Sequence, residues 1–126
     1  MAYIYYNPNP DNARVGDCAV RAVSKAMDCT WETAYISLCA EGMDLHDMPS
    51  ANYVWGSYLE ENGFKKRIVE SICPNCITVS DFVKSHPNGT YVLATQNHTV
   101  CVEDGYYYDS WDSGAEVVLY YFIKEV

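Results

Sequence analysis

Basic residues are scarce in this sequence: 8 lysines and arginines stand against 17 aspartates and glutamates, for a formal net charge of −9. Binding nucleic acid through its phosphates needs a basic patch, so the scarcity argues against that class. It argues equally against adhesion to anionic membranes. No apolar run approaches the roughly 18 residues that a membrane helix needs. The first residues, Met-Ala-Tyr-Ile-Tyr-Tyr-Asn-Pro, lack both a basic region and a long apolar stretch, so no signal peptide is expected. Repeats, low-complexity tracts and linkers are missing as well. The expectation is one cytoplasmic domain spanning residues 1–126, with neither nucleic acid nor membrane as partner. The acidity serves solubility, and it would also tolerate a neutral or basic peptide partner.

What is present fits a folded chain. Hydrophobic residues make up 49% of the sequence, enough for a chain of 126 residues to bury a core without disulfide staples. The 6 cysteines are Cys18, Cys29, Cys39, Cys73, Cys76 and Cys101. In a cytoplasmic protein most should be free thiols, packed as small hydrophobes. Cys73-Pro-Asn-Cys76 is a C-x-x-C, but zinc needs four ligands and no second pair exists. A redox reading needs the pair at a helix start, where Thr78 is the better cap. The motif reads as loop packing, and neither metal nor cofactor is expected.

Residues 7–12, Asn-Pro-Asn-Pro-Asp-Asn, form a turn-rich loop. A helical pattern follows from Asp17, with Ala19, Val20, Ala22, Val23, Ala26 and Met27 at helical spacing. So many small and apolar sides predict a central, buried helix. Thr30 caps a second helix that ends at Gly42, and Ser50 caps a third that stops at Asn62-Gly63. Phe64 to Val69 reads as a strand. Thr78 and Asp81 form a capping box for a short helix, Val79 to Ser85. Strand patterns then cover Thr90 to Thr95, His98 to Glu103, Tyr106 to Trp111 and Val117 to Ile123. Tyrosine clusters at Tyr5-Tyr6, Tyr106 to Tyr108 and Tyr120-Tyr121 suit strands with a polar tip. Helices first and an antiparallel sheet last is an α+β arrangement.

Two residues stand out chemically. Cys18 opens the first helix after Gly16-Asp17. A thiolate there meets unpaired N–H groups and the positive end of the helix dipole, which lower a cysteine's pKa. The same N–H groups, that of Cys18 included, stabilise an oxyanion. Gly16 lets a substrate backbone come close. Of the three histidines, His46 and His86 sit in a loop and at a helix end. His98 lies in an apolar strand run and needs a partner. If Asp104-Gly105 is a two-residue turn, Val100 faces Asp109 and His98 faces Trp111. Asp109 is then the diagonal neighbour of His98, roughly 7–8 Å away, and Trp111 shields the pair from water. A three-residue loop would instead set Asp112 opposite His98 and turn Asp109 away. Asp109 is favoured, and Asp112 stays open.

These segments resemble the papain-like cysteine peptidases. That family carries its cysteine at the start of the central helix, with glycine two before and an oxyanion-hole glutamine six before. Cys18, Gly16 and Asn12 hold those places here. Asn97-His98-Thr99-Val100 resembles the family's Asn-His-Ala-Val, and Asp109-Ser110-Trp111-Asp112 resembles its Asn-Ser-Trp-Gly. The order Cys, His, Asn/Asp and the helix-then-sheet layout also agree. The short chain is most similar to small papain-like proteins of bacterial and phage genomes. The resemblance implies a papain-like α+β fold and a hydrolase of peptide, isopeptide or amide bonds. Cys18 would be nucleophile, His98 base and Asp109 its orienting acid. Asn12 and the Cys18 N–H would form the oxyanion hole. The implied partner is a peptide or protein substrate. The sequence differs from the family in Ala19 after the cysteine, Asp17 before it, and Asn12 for glutamine. Those differences define the alternative, a papain-like fold that has lost catalysis and serves binding or assembly.

Overall fold

The structure, a computed structural model, describes residues 2–69 and 75–125. Helix α1 spans Cys18–Met27, α2 Trp31–Leu45, α3 Asn52–Glu61 and α4 Val79–Ser85. The strands are β1 Tyr3–Tyr5, β2 Phe64–Ile68, β3 Thr90–Ala94, β4 Thr99–Glu103, β5 Tyr106–Asp109 and β6 Tyr120–Lys124. They form one sheet in the order β1-β5-β4-β3-β6-β2. The protein is therefore α+β, as its pattern predicts. The sheet is mixed, not purely antiparallel and C-terminal. β1 runs parallel to β5, and β2, from between α3 and α4, pairs antiparallel with β6.

Side-chain alternation divides the core between the two faces of the sheet. Val92, Ala94, Cys101 and Phe122 pack with Ala22, Val23, Leu38, Trp55 and Leu59 from α1–α3. Tyr91, Leu93, Val100, Val102 and Tyr107 pack with Val79, Phe82 and Val83 of α4 and with Val118. The expected capping box of α4 is present: the Thr78 side chain accepts from Asp81 N and the Asp81 carboxylate accepts from Thr78 N.

Several boundaries moved. α2 runs past Gly42 to Leu45, and His46 takes the left-handed closing position at φ 58°. Gly42 serves another purpose: a Cβ there would meet the Asp47 carbonyl oxygen at 2.6 Å, so the returning loop needs the bare backbone. α3 is entered from Ala51, without a side-chain cap from Ser50. The last strand starts at Tyr120, because Val117 makes only an isolated bridge with Thr78. Cys18, Cys29, Cys39 and Cys101 are free thiols, as expected, whereas Cys76 is disulfide-bonded. The other half of the C-x-x-C, Cys73, lies outside the described residues.

Candidate active site

The site gathers where the start of α1 meets the ends of β4 and β5. Asp104 and Gly105 both take positive φ, 49° and 87°, the pair of values a tight two-residue hairpin turn requires. Cys101 then pairs with Tyr108, Val102 with Tyr107 and Glu103 with Tyr106. This register brings Asp109 level with Val100 and next to His98. His98 itself precedes β4, where its carbonyl accepts from Thr95 N at 2.9 Å and closes the β3–β4 turn.

His98 Nε2 lies 2.6 Å from Asp109 Oδ2, and the histidine side chain is only 8% exposed. Cys18 and His98 line the same cleft, and each shifts the other's titration. Of the three, His98 and Asp109 are hydrogen-bonded, and Cys18 shares their end of the cleft. Burial disfavours imidazolium, but the bonds and charges of Asp109 and Cys18 outweigh it and raise the His98 pKa to about 9. Burial also works against the Cys18 thiolate. His98, together with bonds from the backbone and side chain of Thr99, outweighs it and lowers the thiol pKa. Burial would likewise raise the Asp109 pKa, yet its bonds to His98 and Ser113 and the charges of His98 and Arg21 hold it low.

Asp109 is fully buried and saturated with donors. Arg21 Nε and Nη2 reach Oδ1 at 3.1 and 2.9 Å, and Ser110 N reaches it at 2.8 Å. Ser113 Oγ donates to Oδ2 at 2.7 Å. By strand alternation Asp109 belongs with Tyr107 on the face covered by α4. As the last residue of β5 it meets Arg21 of α1 instead. Arg21 also binds Asp17 Oδ1 at 2.5 Å, and Asp17 Oδ2 accepts from Trp31 Nε1 at 2.9 Å. Asp17 is the residue before the helix, but its carboxylate is directed there rather than onto the helix end, and no side chain caps α1. The first-turn N–H groups of α1, Cys18 among them, stay uncapped beside the cleft.

That cleft, of about 410 Å³, is lined by Arg14, Val15, Gly16, Cys18, Arg21, Asn97, His98, Ser110 and Trp111. Trp111 stands at its rim, 42% exposed, with its ring centroid 4.7 Å from that of His98. A Cβ on Gly16 would meet nothing within 4 Å, so the glycine leaves the cleft open rather than relieving a clash inside the chain.

Asn12 does not line the cleft. The loop closes on itself, with Asn9 Oδ1 accepting from Asp11 N and Ala13 N, and Asn7 Nδ2 donating to the Ala13 carbonyl. Asn12 is left exposed at its turn with φ 54°, so the oxyanion role is not supported for this side chain. Asp112 does not face His98. It accepts from the Tyr107 hydroxyl and, at 3.0 Å, from Gly114 N. Arg21 and Ser113 were not singled out from the sequence. The spacing of Asp17 and Arg21, one helical turn apart, was a legible signal for an ion pair. Nothing local pointed to the second carboxylate, 88 positions away in the chain.

A larger cavity, about 620 Å³, is lined not by Cys18 but by residues that include Thr78, Ser80, Lys84, Tyr107 and Asp112. Among the described residues its lining includes no thiol or imidazole. Among the described residues no group of three or more His, Cys, Asp or Glu is arranged to hold a metal ion. None of the helices among those residues is long and apolar enough to cross a membrane. Compared with known proteins, the chain matches no family model, no curated protein and no solved structure.

Proposed function

We propose that this chain is a papain-like cysteine hydrolase that cleaves peptide bonds, or isopeptide and amide bonds of the same chemistry. The observation that carries the reading is the grouping of Cys18 and His98 in one cleft, with His98 hydrogen-bonded to Asp109. The histidine has one nitrogen on a buried carboxylate and lines the cleft together with a thiol at an uncapped helix start. Nothing in core packing requires that combination, and it is what a nucleophile, base and orienting acid need.

Cys18 ionises to His98, and its thiolate attacks the carbonyl carbon. The oxyanion forms beside the Cys18 N–H and the positive end of α1. His98 Nδ1 gives its proton to the departing amine, and the acyl group stays on sulfur. A water then loses a proton to His98 and attacks the thioester, releasing the acid and restoring the thiol–imidazole pair. Asp109 holds the ring and favours imidazolium. Arg21 fixes Asp109 and neutralises Asp17, so the acidic residue before Cys18 does not oppose the thiolate.

Asn12, exposed and not part of the cleft lining, favours the second reading, a binding or assembly protein on this scaffold. Iodoacetamide at pH 6, with peptide mapping by mass spectrometry, separates the two. A hydrolase is expected to lose Cys18 first, well ahead of Cys29, Cys39 and Cys101, and His98→Ala is expected to slow that labelling. Equal labelling of all four thiols, unaffected by His98→Ala, would leave only the scaffold.

A further inference from the structure

We propose that the outer edge of β2 receives an extended peptide segment that alternates acidic and apolar residues and adds a strand to the sheet. β2 ends the sheet, paired on one side with β6. Among the described residues no strand pairs with its other side. The groove beside this edge shares no lining residue with the Cys18 cleft, so the surface is available whether or not that cleft is catalytic.

The backbone of the edge follows from its ladder. Glu125 N donates to the Gly63 carbonyl at 3.0 Å, and Val69 N donates to the Leu119 carbonyl at 3.3 Å. Both pairs continue the register that sets Lys65 opposite Ile123 and Arg67 opposite Tyr121. Hydrogen-bonded pairs alternate along an antiparallel ladder. Lys65 and Arg67 therefore bond inward to β6, while Phe64, Lys66 and Ile68 turn their backbone groups to the open side. The Lys66 carbonyl there accepts from Arg67 Nη1 at 3.2 Å, an exposed contact that an incoming N–H can replace.

Charge selects the occupant. The chain carries −9, yet Lys65, Lys66 and Arg67 stand consecutively on this edge and are all exposed. Arg67 has Glu125 at 3.7 Å, but an ion pair this exposed is weak and exchangeable. A second copy would present the same basic edge and be repelled, whereas an acidic strand is attracted. A nucleic acid would meet the basic edge but not its outward N–H and C=O groups, which a peptide strand matches.

The two faces of β2 set the alternation. Phe64 packs in the cluster formed with α1–α3, so Lys66 and Ile68 share that face and Lys65 and Arg67 share the other. On the α3 face a groove of about 260 Å³ is lined by residues that include Tyr53, Gly56, Glu60, Lys66, Tyr120 and Phe122. Lys66 Nζ lies 4.4 Å from the Tyr120 ring centroid, and Tyr53 and Ile68 are 67% and 70% exposed. Glu60 disfavours a carboxylate on this side. Apolar side chains of the partner therefore enter the groove, and its acidic ones fall on the face of Lys65 and Arg67. Lysines on an edge can also serve only to guard it from unwanted pairing, a role that needs no groove.

Fluorescence anisotropy with a labelled peptide of alternating valine and glutamate tests this. The wild type is expected to bind it saturably below about 1 mM. The same peptide with every backbone amide N-methylated keeps its charge but loses its donors, and is expected to bind about tenfold more weakly or worse. Lys65→Glu with Arg67→Glu, both at exposed positions, is expected to weaken binding of the unmodified peptide by about tenfold or more. Circular dichroism checks that this variant folds; if it does not, a valine–glutamine peptide against the wild type reads the same charge and is expected to lose as much. In the amide NMR spectrum the peptide should shift Lys66 and Ile68. No binding below about 1 mM overturns the proposal and leaves the basic residues as guards of the edge. Equal binding of the N-methylated peptide, or of single-stranded DNA, also overturns it, because the edge would then attract any polyanion. So does binding that is indifferent to the charge changes.

Discussion

Helix α1 buries its first turn and its middle to a similar depth by opposite means. Around the first turn, Asp17, Arg21 and Asp109 are 6%, 4% and 0% exposed, and each is matched by an opposite charge or a donor. Among the described residues no buried side-chain polar atom lacks a partner. One turn later Ala22, Val23 and Ala26 join an apolar cluster with Leu38, Trp55 and Val92. The apolar part tolerates any side chain of suitable volume and shape. The charged part tolerates almost none, because removing one member strands another in a medium that does not solvate it. Rigidity of position is what the proposed nucleophile and base would require, and the less forgiving half of the helix is the half that would provide it.

The largest expected effect breaks the charged half at its chemistry. Cys18→Ser or His98→Ala is expected to lower peptide turnover by about a thousandfold or more. Denaturation midpoints should move little for Cys18→Ser, whose half-buried side chain keeps its size. A peptide assay beside a urea titration checks both.

Next comes stability. Arg21→Met strands Asp17 and Asp109 and is expected to cost about 3–5 kcal/mol. Leu38→Met, deep in the apolar half, should cost less than about 1.5 kcal/mol. If urea titrations place the two substitutions level, the contrast between the two halves of α1 is wrong.

The pH dependence sharpens the contrast further. The folded His98 pKa, about 9, lies above its ordinary 6.5. The native state therefore holds a proton that the unfolded chain releases, and this stabilisation is complete below pH 6.5 and is lost as pH rises through about 9. Asp109, held low, contributes oppositely: its share is present above its ordinary pKa of 3.8 and is lost as pH falls. Asp109→Asn is expected to return His98 toward its ordinary value. The fall in stability above neutrality should then shrink, and the upper limb of the pH–alkylation profile of Cys18 should move down by more than about one pH unit. An unchanged profile would mean that Asp109 does not set the base.

The smallest effects lie at the rim. Trp111→Ala is expected to reduce turnover by about three- to tenfold with less than about 1 kcal/mol of stability, since the ring is half exposed beside His98. Asp112→Ala should leave turnover within about twofold and cost about 1 kcal/mol through the lost Tyr107 and Gly114 bonds. A larger loss from Asp112→Ala than from Asp109→Ala would reverse their assigned roles.

Local chemistry made much of this legible. Asp104-Gly105 specifies a two-residue turn because glycine and aspartate accept the positive φ it needs, and strand alternation carries that register four residues on to Asp109. Thr78 and Asp81 announce their helix because both halves of a capping box lie within one turn. Gly42 misled because a glycine late in a helix reads as a stop, and the loop contact that requires it is not local. Asn12 misled because a position counted back from the cysteine says nothing of how an Asn-Pro loop folds on itself.

What the sequence determined by itself is therefore what nearby residues decide: the helix start under Cys18, the hairpin beneath His98, the α+β order and the choice of Asp109 over Asp112. Only the tertiary structure decided that β1 joins the sheet in parallel and that Arg21 spans two carboxylates. It also decided that the Asp17 carboxylate turns to Arg21 and Trp31. Those contacts join segments far apart in the chain. Their energy comes from burial and from charge matching in three dimensions, and neither leaves a local pattern to read.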